Sequence, residues 1–256
     1  MSEPSIVKQV LEAWGATAKS LPTSKNEESD WLAELKGCRL LIEEKTKYDD
    51  PTLEVTRQAA FMAGEVYTMN TTLVNNNRLS GIVTKAVNQL NSSGSKLDHD
   101  LRIIWLNCVG AKAEAKYHQF IATLYGSTSV LEVDKSGLKQ CYFFGNSDFF
   151  RYGSQIDGAI AGFLVGDTLT MKLCLNPYSP NWQKLRDSPY ANQIQTGLID
   201  PHAEEIAGKA YVVDTDIDRN DQAALFSYLQ KKYKTGRLMN MDMNMVSVEV
   251  VIPKNV

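Results

Sequence analysis

The segment from Cys38 to Lys45, Cys-Arg-Leu-Leu-Ile-Glu-Glu-Lys, constrains the fold of this chain more than any other. It begins apolar and ends charged, as a buried strand does where it emerges at a site. Side chains alternate across a strand. Arg39, Leu41, Glu43 and Lys45 therefore share one face, and Leu40, Ile42 and Glu44 the other. Lys36-Gly37 separates this strand from a shorter β-like stretch and predicts a hairpin turn. The hairpin sets Asp30 beside the end of the second strand, so two carboxylates and one ammonium converge. A shift of register by one residue exchanges Glu43 for Glu44, and the sequence leaves both readings open.

The rest of the chain alternates helical and extended patterns. Residues 5–19 read as an amphipathic helix with Ile6, Val10, Leu11 and Trp14 on its apolar face and Ser5 as N-cap. A polar loop follows from Pro22 to Ser29. Leu53 to Ala63 reads as helical. Leu79, Ile82, Val83, Ala86, Val87 and Leu90 line one face of a further helix, ended by Asn91-Ser92-Ser93-Gly94. Leu101 to Cys108 reads as a buried strand and Ala111 to Tyr125 as a helix closed by Gly126. Downstream, strands are expected at 129–133, 141–144, 168–175, 210–214 and 243–252, with a turn at 177–180. Partly helical stretches are expected at 148–164 and 181–194, and a helix at 221–233 capped by Asp218 or Asn220. This order predicts an α/β fold, a mixed central sheet flanked by helices.

Composition narrows the function classes. A chain of 256 residues buries a core without staples. Cys38, Cys108, Cys141 and Cys174 are scattered without a CxxC pair, which argues against zinc and for free thiols in a reducing, cytoplasmic setting. No apolar run approaches the roughly 18 residues of a membrane span, so no membrane association is expected. The net charge of -3 speaks against indiscriminate coating of nucleic acid. Residues 66–97 nevertheless contain no Asp or Glu, and they carry Arg78, Lys85 and Lys96 with Asn70, Asn75, Asn76 and Asn77. Such a segment suits phosphate contacts, although a plain surface loop leading into a helix has the same composition.

Two carboxylates with a lysine suit phosphodiester hydrolysis. Mg²⁺ prefers oxygen ligands and binds through one or two carboxylates plus water and phosphate. A neighbouring lysine orients water or offsets charge in the transition state. Ser29-Asp30 followed by Leu41-Ile42-Glu43-Glu44-Lys45-Thr46 resembles the PD-(D/E)xK nuclease superfamily, with Ser29 where that family usually has proline. The resemblance covers roughly residues 5–125. It implies a restriction-endonuclease-like αβββαβ core at 1–127, with an α/β extension at 128–256 for recognition or oligomerisation, separate from the core or continuous with it. It also implies a nuclease dependent on Mg²⁺ or Mn²⁺ that cleaves DNA or RNA, with DNA the expected substrate ahead of RNA, in defence or DNA processing. Asp30 and Glu43 match the family's metal-binding acids and Lys45 its lysine. Glu12, on the preceding helix, matches an additional acid that supports the metal. Lys85 and Gln89, four apart on the following helix, match residues turned toward the site. Gln89 thereby joins the catalytic set, and Arg78 and Lys85 the nucleic-acid-binding one.

Other motifs are weaker. Asp214-Thr-Asp216-Ile-Asp218 lacks the glycine and glutamate of a calcium loop. His202-Ala-Glu204-Glu205 lacks the second histidine of a zinc protease. His118 reads as a half-buried helix residue. Gly158, Gly162 and Gly166 precede no Lys-Ser/Thr and suggest close packing. Tyr142-Phe143-Phe144 and Phe149-Phe150-Arg151-Tyr152 suit either base stacking or a core. A second reading of the whole chain is a non-catalytic α/β interaction subunit of a DNA-processing or defence complex. In either case a homodimer or a partner protein would engage the second half.

Overall fold

The computed structural model describes residues 5–22, 28–135, 137–165, 168–241 and 243–250. Helix α1 (Ile6–Ala13) starts at Ser5, whose hydroxyl accepts the Val7 N–H. It is shorter than its periodicity predicts. Gly15 takes φ +79°, which ends the helix, and the chain enters strand β1 (Thr17–Ser20). Of the loop expected at Pro22 to Ser29, residues 23–27 lie outside the described residues. β2 (Trp31–Leu35) and β3 (Cys38–Lys47) form the expected hairpin. Its two turn residues, Lys36 and Gly37, both have positive φ (49° and 78°), the geometry that matches the twist of paired strands. Helix α2 (Pro51–Met62) and strand β4 (Tyr67–Thr72) follow. α3 (Asn77–Gly94) is capped by Asn76. β5 (Leu101–Cys108) leads into α4 (Ala113–Tyr125), closed by left-handed Gly126.

The second half continues with β6 (Thr128–Glu132), β7 (Gly137–Tyr142), the short α5 (Asp148–Arg151), β8 (Gly158–Val165) and β9 (Thr168–Leu175). Then come α6 (Trp182–Arg186), β10 (Leu198–Ile199), α7 (Pro201–Ile206) and β11 (Ala210–Val212). α8 (Gln222–Tyr233), β12 (Leu238–Met241) and β13 (Asn244–Glu249) end the described chain. Where partial helix was expected at 148–164, only α5 is helical. The small residues of Gly158-Ala-Ile-Ala-Gly instead fill a central strand, and a side chain at Gly158 would meet the Cys174 carbonyl at 2.6 Å. Asp221, not Asp218 or Asn220, caps α8 by accepting the Ala224 N–H. Gly166 and residues 251–252 of the expected last strand lie outside the described residues.

The central sheet has the order β1-β2-β3-β5-β8-β9-β10. β1, β2 and β3 form an antiparallel meander, and β5 lies parallel to β3. Because β8, β9 and β10 extend this same sheet, residues 128–256 share it with residues 1–127. A smaller sheet, β11-β7-β6-β12, packs beside it, and β4 pairs with β13 in a separate ribbon.

Each face of the central sheet has its own core. On one, Leu41, Ile104 and Leu106 pack with Leu79, Val83, Val87 and Leu90 of α3 and Phe120 and Leu124 of α4. On the other, Leu40, Ile42, Ile103 and Trp105 pack with Val7 and Leu11 of α1. α1 and α3 thus cover opposite faces of β3. Among the described residues no helix is long and apolar enough to cross a membrane.

Candidate active site

The two-faced core settles the register of β3. Glu43 and Lys45 follow Leu41 toward α3, and Glu44 follows Ile42 toward α1. Glu44 is consumed there. Its carboxylate accepts the Ser5 hydroxyl (2.6 Å), the Trp31 indole N–H (2.9 Å) and the Asn107 amide (3.2 Å). It pins the start of α1, β2 and β5 together and is unavailable to the α3 face.

Asp30 enters from the turn before β2. Its backbone N–H donates to the Ile42 carbonyl (3.1 Å), which fixes the chain beside β3. Its carboxylate Oδ2 accepts the Glu44 N–H at 2.8 Å. Ser29, fully buried, holds the same turn against α3. Its N–H donates to Ser93 Oγ (2.7 Å) and its hydroxyl to the Gln89 carbonyl (3.3 Å). A proline at this position could not make the first of these bonds.

The Glu43 side chain is wholly buried. One carboxylate oxygen pairs with the Lys45 ammonium, whose Nζ also donates to Gln89 Oε1 at 2.8 Å. The other oxygen, Oε2, has no hydrogen-bond partner among the described residues. Burial is the main cause that pushes the Glu43 carboxyl up, to about 8. Lys45 opposes the shift, and the neighbouring Asp30 adds to it through charge and direct contact. Asp30, Glu43, Lys45 and Gln89 therefore form one connected cluster, and Lys45, 26% exposed, is its door to solvent.

Glu12 is not brought to this cluster. It lies exposed on α1, pairs with Lys8 at 3.7 Å, and sits across the sheet from Glu43. The expectation that it supports a metal beside Glu43 is corrected on that geometry. Lys85 and Arg78 are exposed on α3, on the same stripe as Gln89. Arg78 lines a cleft of about 510 Å³ together with Lys47, Asp49, Asp50, Lys112 and Lys116. Apart from Arg78, these residues were not singled out by sequence, because only the parallel pairing of β3 with β5 brings Lys47 and Asp49 to Lys112.

Among the described residues no group of three or more His, Cys, Asp and Glu is disposed to hold a metal. The two acids of the cluster match the smaller carboxylate set with which Mg²⁺ is usually bound, the rest of its shell being water and phosphate. The Glu43 carboxyl touches the Asp30 carboxylate, and its Oε2 finds no donor among the described residues. Two carboxyl groups in such contact share either a proton or a cation, so the pair fits Mg²⁺ in place of that proton.

Compared with protein-family models, curated proteins and solved structures, the chain matches none. Its chemistry rests on its own residues.

The remaining motifs have structural partners. Tyr142, Phe143, Phe144 and Phe149 are buried in the main core. Asp214 pairs with Lys232 at 2.9 Å. His118 stacks edge-on to Tyr117, with Glu114 at 4.0 Å. The four thiols are free, and burial pushes that of Cys108 up to about 12.

Proposed function

We propose that the chain is a metal-dependent nuclease of the PD-(D/E)xK type, hydrolysing phosphodiester bonds in DNA. The observation that carries this reading is Glu43 Oε2, a buried carboxylate oxygen without a donor, set beside Asp30 and a lysine that Gln89 holds. If α2 and β4 are taken as an insertion between β3 and α3, the remaining order α1, β1-β2-β3, α3, β5, with β5 parallel to β3, supports the reading of a restriction-endonuclease-like core.

Asp30 and Glu43 would hold Mg²⁺ or Mn²⁺, which when bound polarises a phosphoryl oxygen and acidifies water. Lys45 faces the solvent side of the pair and offsets negative charge on the phosphoryl group, or orients the attacking water. Gln89 fixes the lysine ammonium, so its hydrogen bonds are committed before substrate arrives. The Glu43 carboxyl is raised to about 8, so a divalent cation held there would have to displace its proton.

The test is an equilibrium titration of Mn²⁺ followed by electron paramagnetic resonance at pH 6 and pH 8. The expected result is binding that tightens at the higher pH and is absent in Glu43→Gln. Equal binding by Glu43→Gln and the unmodified chain would overturn the assignment.

A further inference from the structure

β3 continues past the candidate site. Lys47 lies two residues beyond Lys45 on the same face, about 7 Å further along the strand. α3 runs the opposite way above it. Gln89 touches Lys45, while Arg78, near the start of the helix, lines the same cleft as Lys47. Arg78, Lys85 and Gln89 are spaced by seven and four residues and form one stripe. A line of cations therefore leads from the site to a cleft at the carboxyl ends of β3 and β5.

The charges in this cleft do not cancel. Asp49 is committed to the Lys116 ammonium and to the Lys112 N–H (3.1 Å). Gly110 gives it room, since a Cβ there would lie 2.4 Å from Asp49 Oδ2. Asp50 caps α2 through the Thr52 N–H (3.0 Å) and hydroxyl (2.8 Å). Among the described residues, Lys47, Arg78, Lys85 and Lys112 form no salt bridge. Asp50 keeps its charge near Arg78 and Lys47, so the four cations Lys47, Arg78, Lys112 and Lys116 face two carboxylates. The excess of positive charge, continuous with Lys85 on the helix stripe, calls for a ligand with repeated negative charges.

We infer that the cleft binds the backbone phosphates of the nucleic-acid strand that leaves the Asp30–Glu43–Lys45 site, with Lys47, Arg78 and Lys112 as contacts and Lys85 on the path. This rests on the nuclease reading and adds a second anchor to it. The cations are strung along a line from the site, which suits a strand better than a lone anion. From Gln89 to Arg78 is 11 residues, or about 16 Å of helix. At a rise of about 3.4 Å per phosphate along each strand, that is roughly five nucleotides.

The experiment measures fluorescence anisotropy of labelled 4-, 12- and 24-nucleotide DNA, single-stranded and duplex, in EDTA. It compares the unmodified chain with the triple variant Lys47→Ala, Arg78→Ala, Lys112→Ala. Lys116 stays in place because it holds Asp49, and matched circular-dichroism melts establish that the variant is folded. Loss of three phosphate contacts lowers the slope of log affinity against log salt by about 2 for a single strand and nearer 3 for a duplex. The affinity ratio between 50 and 200 mM salt then shrinks roughly twenty- to forty-fold. The gain in affinity from the 4-mer to the 12-mer shrinks with it. Equal slopes and equal length dependence in both proteins would overturn the inference. If the unmodified chain shows the steep slope but cleaves nothing with Mg²⁺ or Mn²⁺, the cleft stands and the nuclease reading falls. If it cleaves but the slopes coincide, the reverse holds.

Discussion

Replacing Glu43 by Gln should stabilise the metal-free protein while abolishing its metal binding. The side chain is fully buried, so solvent screens it little. Its carboxyl has an ordinary value of 4.5 and is raised to about 8 in the fold. The folded state holds this proton more tightly than the unfolded chain does. The contribution to stability is therefore fully present below pH 4.5 and is lost as pH rises toward 8. At about 1.4 kcal/mol per pKa unit, the loss is about 2 kcal/mol at pH 6, about 3 at pH 7 and nearly 5 at pH 9. Gln keeps the volume and the oxygen that accepts from Lys45, and it has no charge to bury. Urea denaturation in EDTA, on both proteins at pH 5, 7 and 9, measures the effect. The variant should be more stable than the unmodified chain by about 1 kcal/mol at pH 5 and by about 3 kcal/mol at pH 7, the latter a rise of roughly 6–12 °C in Tm. A difference that does not change with pH, or a variant less stable at pH 9, would refute the reading that burial costs the Glu43 carboxylate more than its pairing with Lys45 returns.

Three further outcomes follow from the same contacts. Gln89→Leu removes the acceptor that holds Lys45, and steady-state kinetics should give a kcat lower by roughly 10- to 100-fold, as is typical when a supporting hydrogen bond is lost, with KM nearly unchanged. Glu12→Ala should leave metal-dependent cleavage as it was, because Glu12 lies across the sheet; a drop in Mn²⁺ affinity would contradict that placement. Ser29→Pro introduces the residue usual in the PD-(D/E)xK superfamily but deletes the N–H bond to Ser93 and the hydroxyl bond to the Gln89 carbonyl, and chemical denaturation should show a loss of about 1–3 kcal/mol.

Much of the first half was legible because its signals are local. The apolar-to-charged run of β3, the Lys36-Gly37 turn and the 3.6-residue period of α3 each follow from short-range chemistry. β8 was missed because Gly158, Ala159, Ala161 and Gly162 carry no period, and only neighbours on both sides make them a strand. β4 was missed because its partner, β13, lies far downstream at the chain's end. At the site, alternation correctly grouped Glu43 with Lys45. The choice between Glu43 and Glu44 needed the two-faced core, which shows Glu44 occupied by Ser5, Trp31 and Asn107. Glu12 was misplaced for a related reason: chain order puts α1 before the hairpin but does not say which face of the sheet it covers. The roles of Ser29 and Ser93 were invisible, since they depend on two segments 64 residues apart.

The most direct test of the central claim is a cleavage time course on end-labelled linear DNA and RNA in Mg²⁺ or Mn²⁺, with the unmodified chain and Asp30→Asn side by side. Asp30→Asn keeps the shape of the turn but removes one of the two charges that would hold the metal. The account predicts metal-dependent cleavage of DNA by the unmodified chain, absent in EDTA and reduced to background in the variant. Cleavage that survives unchanged in Asp30→Asn, or no cleavage by the unmodified chain with either metal, would contradict it.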